Sequence, residues 1–88
     1  MIPFEVSLTR HAEQARDALP NVEREKIRRG LERIAESPFT NRLLRGGKKL
    51  RRVRRYVANP WRIFYTVDKK ARLVTVVSIE RRETTTYR

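Results

Sequence analysis

The apolar positions near the start of the chain follow first a period of two and then a helical period. Within residues 2–8, Phe4, Val6 and Leu8 alternate with polar residues, which predicts a short strand with one buried face. Thr9 then occupies the position expected of a helix N-cap, and small apolar residues follow it as far as Leu19. The sequence therefore predicts a strand followed directly by a short helix.

A second helix is predicted over residues 22–36. Pro20 ends the first helix, and Asn21 is a candidate cap for the second. Apolar residues at positions 27, 31, 34 and 35 recur at the spacing of one helical face, whereas the opposite face is charged. Ser37-Pro38 stops this pattern, so the helix is expected to end there.

The second half of the chain predicts three strands. They are residues 50–57 (LRRVRRYV), 61–67 (WRIFYTV) and 72–81 (RLVTVVSIER), of which the last is typical of a central strand with both faces covered. Turn residues separate them at positions 58–60 and 68–71. The order β-α-α-β-β-β predicts one α+β domain over residues 1–88, a twisted, mainly antiparallel sheet with two helices on one face. The other face is then free to bind a partner.

Basic residues greatly outnumber acidic ones. The 22 Lys and Arg residues against 10 Asp and Glu give a net charge of +12 at pH 7. A positive field of this strength on one small domain favours a polyanionic partner, namely nucleic acid, an anionic membrane or an acidic protein. A charge-rich thermophilic surface is the alternative, but such surfaces carry both signs in near balance. The charge therefore favours nucleic acid.

Other residue types narrow the chemistry further. The chain has no cysteine, which excludes disulfides and thiolate sites. His11 is the one histidine and stands apart from other ligands, so we expect no metal site. No apolar run approaches the roughly 20 residues of a membrane helix, and the first residues lack the pattern of a secretory signal. We expect a cytoplasmic protein.

Arginine and aromatic residues are concentrated on the predicted strands. Within residues 61–67, Arg62 and Phe64 fall on the face opposite the core positions, because side chains alternate along a strand. Arg81 stands where the last apolar run ends. We therefore expect Arg62 and Arg81 to converge, on the open side of the sheet, with the arginines of the preceding strand. These are Arg51, Arg52, Arg54 and Arg55.

Such a surface suits RNA. Guanidinium groups bind phosphates through two parallel hydrogen bonds and keep their charge, and Phe64 and Tyr87 supply aromatic faces on which bases stack. Each residue also has a plainer interpretation, since arginines beside strands protect edges from aggregation and a tyrosine near a terminus is often a packing residue. Their combination with the net charge favours binding.

The motifs and their order resemble a known family. They are PWRIFYTV at residues 60–67, IERRE at residues 79–83 with Tyr87 six residues beyond Arg81, and LLRG at residues 43–46. Together with the opening strand and helix, this pattern resembles the RelE/ParE superfamily of toxins from type II toxin–antitoxin systems. The resemblance extends over nearly the whole chain and is closest to the RelE-like branch.

The resemblance implies a specific reaction. RelE-like toxins cleave mRNA in the ribosomal A site, where the ribose 2′-hydroxyl attacks the adjacent phosphate, without a metal or an organic cofactor. It implies that Arg62 and Arg81 bind the phosphate and the transition state, and that Tyr87 transfers a proton or stacks on a base. The remaining RNA-binding positions would be Arg51, Arg52, Arg54, Arg55, Phe64 and Arg82. The implied partners are a cognate antitoxin, the ribosome and mRNA.

The proton acceptor and the branch of the superfamily stay open at this point. The strand of residues 50–57 offers only arginines as cations, and arginine does not act as a base. Tyr87, Glu80 and Glu83 are the alternatives, as is catalysis by positioning and electrostatics alone. Two other functions compete: inhibition of DNA gyrase, as by ParE-like toxins, and non-catalytic binding of RNA or DNA.

Overall fold

The computed structural model describes residues 2–41, 43–44 and 52–82. These residues confirm the predicted order β-α-α-β-β-β and the α+β class. The elements are β1 (Glu5–Leu8), α1 (Arg10–Asp17), α2 (Asn21–Glu36), β2 (Arg54–Ala58), β3 (Trp61–Asp68) and β4 (Leu73–Arg81).

The four strands form one sheet in the order β1-β4-β3-β2. β4 runs antiparallel to β3, and β3 runs antiparallel to β2, whereas β1 lies parallel to β4. Both helices pack on the same face, with α1 mainly against β4 and α2 mainly against β2. The opposite face, called the open face below, carries no helix among the described residues.

The two helices begin in different ways. Thr9 caps α1 as predicted, because its Oγ1 accepts a hydrogen bond of 3.2 Å from the backbone N–H of Ala12. The prediction that Asn21 caps α2 is wrong. The capping position is Pro20, with extended backbone and no side-chain cap, and Asn21 is already the first helical residue. Its Oδ1 accepts a hydrogen bond from the Arg24 guanidinium instead of from the backbone.

The strand boundaries differ most from the prediction at the two edge strands. β1 begins at Glu5 rather than at residue 2. β2 begins at Arg54 rather than at residue 50, because its pairing with β3 starts with Arg54 opposite Tyr65. Leu44 lies alongside at this point, and its N–H donates to Val53 O over 2.8 Å. The predicted strand residues 50 and 51 lie outside the described residues.

β4 is the central strand that its composition predicts, but only one of its faces is fully covered. Val74, Val76 and Ile79 are buried on the helix side, whereas Thr75 and Ser78 are half-buried on the open face. The prediction that both faces are covered is wrong because both helices lie on the same side. The helix-facing half of the sheet packs on Ile27 and Ile34 of α2 and on Ala12 of α1.

Gly30 allows α2 to lie close to the sheet. A Cβ atom at this position would lie 3.0 Å from Cε2 of Tyr56 and 3.1 Å from Cδ1 of Ile63. Both distances are shorter than an ordinary van der Waals contact, so a side chain at position 30 would force these neighbours to move. Glycine is a poor helix former, but at position 30 it allows α2 to pack closely on β2 and β3.

Tyr65 anchors the segment that leaves α2. Its ring is fully buried in the core, and its hydroxyl donates to Pro38 O over 2.8 Å. The same hydroxyl accepts a hydrogen bond of 3.0 Å from Nδ2 of Asn41. Burial raises the pKa of Tyr65 above its ordinary value, because the phenolate loses more solvation than the neutral phenol.

We expect Tyr65→Phe to lower the free energy of unfolding by about 1–2 kcal/mol, since Pro38 O and the Asn41 amide lose their partner. Tyr56→Phe is the control, because no hydrogen bond of the Tyr56 hydroxyl occurs within the described residues. Urea denaturation measures both variants. Equal destabilisation of the two would contradict the anchoring role.

The raised pKa also predicts a pH dependence. The unfolded state loses the Tyr65 proton at about pH 10, earlier than the folded state. The contribution of Tyr65 to stability is therefore complete below about pH 10 and is lost as the pH rises through the higher pKa of the folded state. Unfolding curves measured up to this range should show a smaller alkaline loss of stability for Tyr65→Phe than for the wild type.

Candidate nucleic-acid interface

The charge of the protein is divided between its two layers. Residues 1–37, which form β1 and both helices, hold seven Lys and Arg and seven Asp and Glu. Residues 38–88, which include β2, β3 and β4, hold fifteen Lys and Arg and only three Asp and Glu. The net charge of +12 therefore belongs to the second half of the chain, which builds most of the sheet.

Ion pairs follow the same division. Among the described residues, every ion pair lies on α1 or α2. Arg28 binds Glu25 and Glu32, and its guanidinium lowers the pKa of Glu25 to about 2. The helical layer thus neutralises its own cations, whereas no described carboxylate pairs with an arginine or lysine of β2, β3 or β4.

Two cross-strand rows bring arginines and an aromatic residue together on the open face. In the first row, Arg55 of β2 lies opposite Phe64 of β3, which lies opposite Ser78 of β4. In the second row, Val57 lies opposite Arg62, which lies opposite Glu80. Directly opposed residues share a face of the sheet. The structure therefore places Arg62 and Phe64 on the open face, as the alternation along β3 predicted, and Arg55 of β2 beside them.

Arg62 has an unsatisfied donor. Its Nε is buried and has no hydrogen-bond partner among the described residues. Glu80 lies across the strand, but its Oε2 accepts a hydrogen bond from Ser78 Oγ over 3.2 Å and forms no ion pair with Arg62. A buried guanidinium N–H without a partner costs about 1–3 kcal/mol or more. The side chain as a whole is only half-buried, and its guanidinium is a suitable binding partner for an anion supplied from outside.

Arg54 lies away from this surface. It is opposite Tyr65, so it belongs to the helix side of the sheet. Its Nη1 donates to Asn41 O over 2.7 Å and to Phe39 O over 3.2 Å, and its guanidinium lies 5.2 Å from the centre of the Phe39 ring. The expectation that Arg54 joins the open basic face is therefore wrong, because its donors hold the segment that follows α2.

Arg81 is also on the helix side, contrary to the expected convergence with Arg62. It is opposite Trp61, and its guanidinium carbon lies 5.6 Å from the centre of the Trp61 ring. The physical reason is a bulge in β4. Phe64 pairs with Ser78 but the next residue, Tyr65, pairs with Val76, so the alternation of β4 shifts by one residue.

Trp61 connects this arginine to the helical layer. The indole is 9% exposed, and its Nε1 donates to Oε1 of Glu23 in α2 over 2.6 Å. Arg81, Trp61 and Glu23 thus form one contact between the end of β4 and α2. Arg62 and Arg81 belong to adjacent strands, but their side chains lie on opposite faces of the sheet.

The other predicted site residues lie next to the ends of strands or outside the described residues. Arg52 is exposed just before β2. Arg82 is exposed just after β4, and its backbone N–H donates to Pro60 O over 2.7 Å. The predicted positions Arg51, Glu83 and Tyr87 lie outside the described residues.

Comparison with known proteins identifies the family. The model of the ParE toxin of the type II toxin–antitoxin system parDE matches residues 6–85. The chain belongs to the ParE toxin family. It is accordingly a type II toxin of the RelE/ParE superfamily, as its motifs suggested. No curated protein matches the sequence significantly.

Solved structures of RelE toxins share the fold of this ParE-family toxin. A chain of the Mycobacterium tuberculosis RelBE2 toxin–antitoxin complex superposes with a TM-score of 0.83 at 19% identity, covering 93% of this chain and 94% of that one. The isolated Escherichia coli RelE toxin gives 0.77 at 22% identity, covering 93% and 87%. A chain of the archaeal RelE–RelB complex from Pyrococcus horikoshii gives 0.75 at 14% identity, covering 96% and 100%. These likenesses concern the fold.

Sequence reasoning missed a second cationic feature of this ParE-family toxin. A groove of about 570 Å³ lies beside the turn between β3 and β4, at the end of the sheet that is farther from Arg62. We call it the turn groove; its cationic and hydroxyl-bearing lining residues are Arg52, Thr66, Lys69, Lys70 and Thr75. In the sequence, residues 68–71 indicated only a turn, although two adjacent lysines in that turn were visible as a signal.

The described residues of the toxin include many groups that bind anions. No group of three or more potential metal ligands occurs among them. Within the same part of the chain, no helix is long and apolar enough to cross a membrane. What the open face offers is guanidinium and ammonium groups, an aromatic ring and hydroxyls, the set that binds a phosphodiester backbone and stacks on its bases.

The positions of Arg81 and Arg62 on opposite faces predict different spectroscopic effects. Trp61 is the one tryptophan of the chain. We expect Arg81→Ala to change the emission and the quenching of Trp61 and to cost about 0.5–1 kcal/mol through the lost cation–π contact. Arg62→Ala should leave the emission unchanged. A change with Arg62→Ala alone would contradict this assignment of faces.

Proposed function

We propose that this toxin binds RNA on its open face and cleaves mRNA on the ribosome, with Arg62 as the phosphate-binding residue. The observation that carries the proposal is the half-buried guanidinium of Arg62 on the open face, which has no hydrogen-bond or ion-pair partner among the described residues. A scissile phosphate would give this guanidinium hydrogen-bond acceptors and a negative charge that pairs with its own. Arg55 and Phe64, opposite each other in the neighbouring row, would hold the backbone and a base.

The proposed reaction needs no external reactant. The ribose 2′-oxygen attacks the adjacent phosphorus and gives up its proton. The bond to the 5′-oxygen of the next nucleotide breaks, and that oxygen takes up a proton. The products are a 2′,3′-cyclic phosphate and a free 5′-hydroxyl. Arg62 would stabilise the charge that develops on the phosphate oxygens, the kind of contact that typically contributes most to such a rate.

Proton transfer in this proposal has several candidate residues. Glu80 lies opposite Arg62 on the open face and is exposed, which favours it among the described residues. Tyr87 and Glu83 remain proposals from the resemblance. Arg81 takes part only if its guanidinium leaves Trp61, whereas Arg62 already faces the open side.

The same proposal includes a protein partner. Homologous structures were solved as complexes of RelE with RelB antitoxin. We expect a cognate antitoxin with acidic and apolar segments for this toxin. The open face supports this expectation, since Val57, which is 46% exposed, stands beside Arg62 and offers apolar contact next to the cations.

Inhibition of DNA gyrase is the second candidate. The observation in its favour is that the ParE family model matches residues 6–85. This function requires no RNA-cleaving residues. Arg62 would then bind an anionic group on a different partner. Non-catalytic RNA binding is a third outcome, in which the open face binds RNA but no phosphodiester bond breaks.

The test is single-turnover cleavage of mRNA on saturating ribosomes, with mapping of the 3′ ends. We expect Arg62→Ala to lower the cleavage rate by about 10²-fold or more, since one oriented donor to the transition state is lost. Arg29→Ala is the control, because Arg29 is exposed on α2 and pairs with Glu25. Arg81→Ala in the same assay decides whether that residue acts in the reaction, and a normal rate excludes it.

The outcomes separate the three functions. Cleavage by the wild type that Arg62→Ala greatly reduces supports the proposal. Intact mRNA together with inhibited DNA supercoiling by gyrase would assign the second function. Intact mRNA, active gyrase and tight RNA binding would indicate a non-catalytic module, and either result would overturn the proposed reaction.

A further inference from the structure

The turn groove continues the line of binding groups on the open face. Arg62 stands at one end of β3, Phe64 with Arg55 stands two residues further, and Thr66 forms part of the groove two residues beyond that. At the rise of an extended strand, Thr66 lies about 13 Å from Arg62. The groove therefore reaches the face of Arg62 through Thr66, at the far end of the sheet, and it extends around that end to Val67.

Thr66 and Thr75 connect the groove to the open face. They are directly opposed across β3 and β4, and both are half-buried. Their position opposite each other puts two hydroxyl-bearing side chains on the lining of one groove, between the cations of the turn and the aromatic ring of Phe64. Hydroxyl groups and cations in this order suit a chain of phosphates and sugars.

Two features leave the cations of the groove available. None of the ion pairs among the described residues involves Arg52, Lys69 or Lys70. Asp68 is the one acidic residue on the lining, and its Oδ1 accepts a hydrogen bond of 3.1 Å from the N–H of Ala71. Its carboxylate stabilises the turn, while Lys69 and Lys70 are exposed beside it.

We propose that the turn groove is a second RNA-backbone subsite, in which Arg52, Lys69 and Lys70 bind phosphates of the same RNA strand that lies across Arg62 and Phe64. The inference rests on the proposed RNA-binding function. It adds that the bound RNA strand lies parallel to the axis of β3. The subsite binds RNA at a distance from the phosphate held by Arg62. It therefore contributes to the affinity for RNA and to the position of the RNA along the open face. It does not contribute to stabilisation of the transition state.

The test measures binding of the toxin to a single-stranded decanucleotide whose 2′-oxygens are methylated, so that it is not cleaved. The variant is Lys69→Gln combined with Lys70→Gln. If each lysine neutralises one phosphate, the slope of log affinity against log salt should become shallower by about 1.4 for the pair. Combined Lys26→Gln and Arg29→Gln is the control, since it removes the same charge from α2 and should leave the slope nearly unchanged.

The expected result is a shallower slope for the turn variant alone. Equal slopes for the turn variant and the α2 control would mean that only net charge matters and would overturn the subsite. An unchanged slope on the decanucleotide with weaker ribosome binding would assign the groove to ribosomal RNA and overturn the single-strand proposal. A shifted slope in a toxin that cleaves nothing would support the subsite and reject only the proposed reaction.

Discussion

The alternation of side chains along β3 is the constraint on which both the core and the candidate interface depend. Trp61, Ile63 and Tyr65 point to the helices and are buried, whereas Arg62, Phe64 and Thr66 are left on the other side. A strand has only two faces, so burial of the first set fixes the second on the open face without any further interaction. The hydrophobic effect thus places the cationic and aromatic groups, although none of them contributes greatly to the core.

The distribution of charge fits this division. The acidic residues are concentrated in the helical half, where they pair with neighbouring arginines one turn away. Among the described residues, the cations of β2, β3 and β4 have no ion-pair partner, and their mutual repulsion reduces the stability of the free protein. An RNA or an acidic antitoxin segment that neutralises them would stabilise the fold as it binds. The same cations thus disfavour the free fold and favour association with a polyanion.

Two arginines show how similar sequence contexts lead to different uses. Arg54 and Arg55 are adjacent in β2, yet Arg54 holds the segment after α2 through two backbone carbonyls while Arg55 stands beside Phe64 on the open face. The two side chains point in opposite directions because side chains alternate along β2, and the register with β3 puts Arg54 opposite Tyr65 and Arg55 opposite Phe64. Tyr65 and Arg54 together fix the residues that leave α2, so the edge strand is tied to the helical layer where it begins.

Much of this protein was determined by local sequence patterns. The periods of two and 3.6 identified the elements and their order, Thr9 identified a cap, and the alternation in residues 61–67 identified which side chains are buried and which lie on the open face. The motif order indicated the superfamily before any comparison. These features depend on neighbours within a few residues, and a local pattern therefore contains the information that they require.

Other features depend on contacts between distant elements. The bulge at Val77 decides that Arg81 joins Ile79 on the helix side, because the pairing of β3 with β4 shifts by one residue at that point. The partners of Arg54 and the meeting of Arg52 with Lys69 and Lys70 are likewise set by register between segments far apart in the chain. The sequence by itself determined the elements, the excess of positive charge and the faces of β3. Only the tertiary structure decided which cations share a surface, because one shifted pair in a sheet reverses the direction of every side chain beyond it.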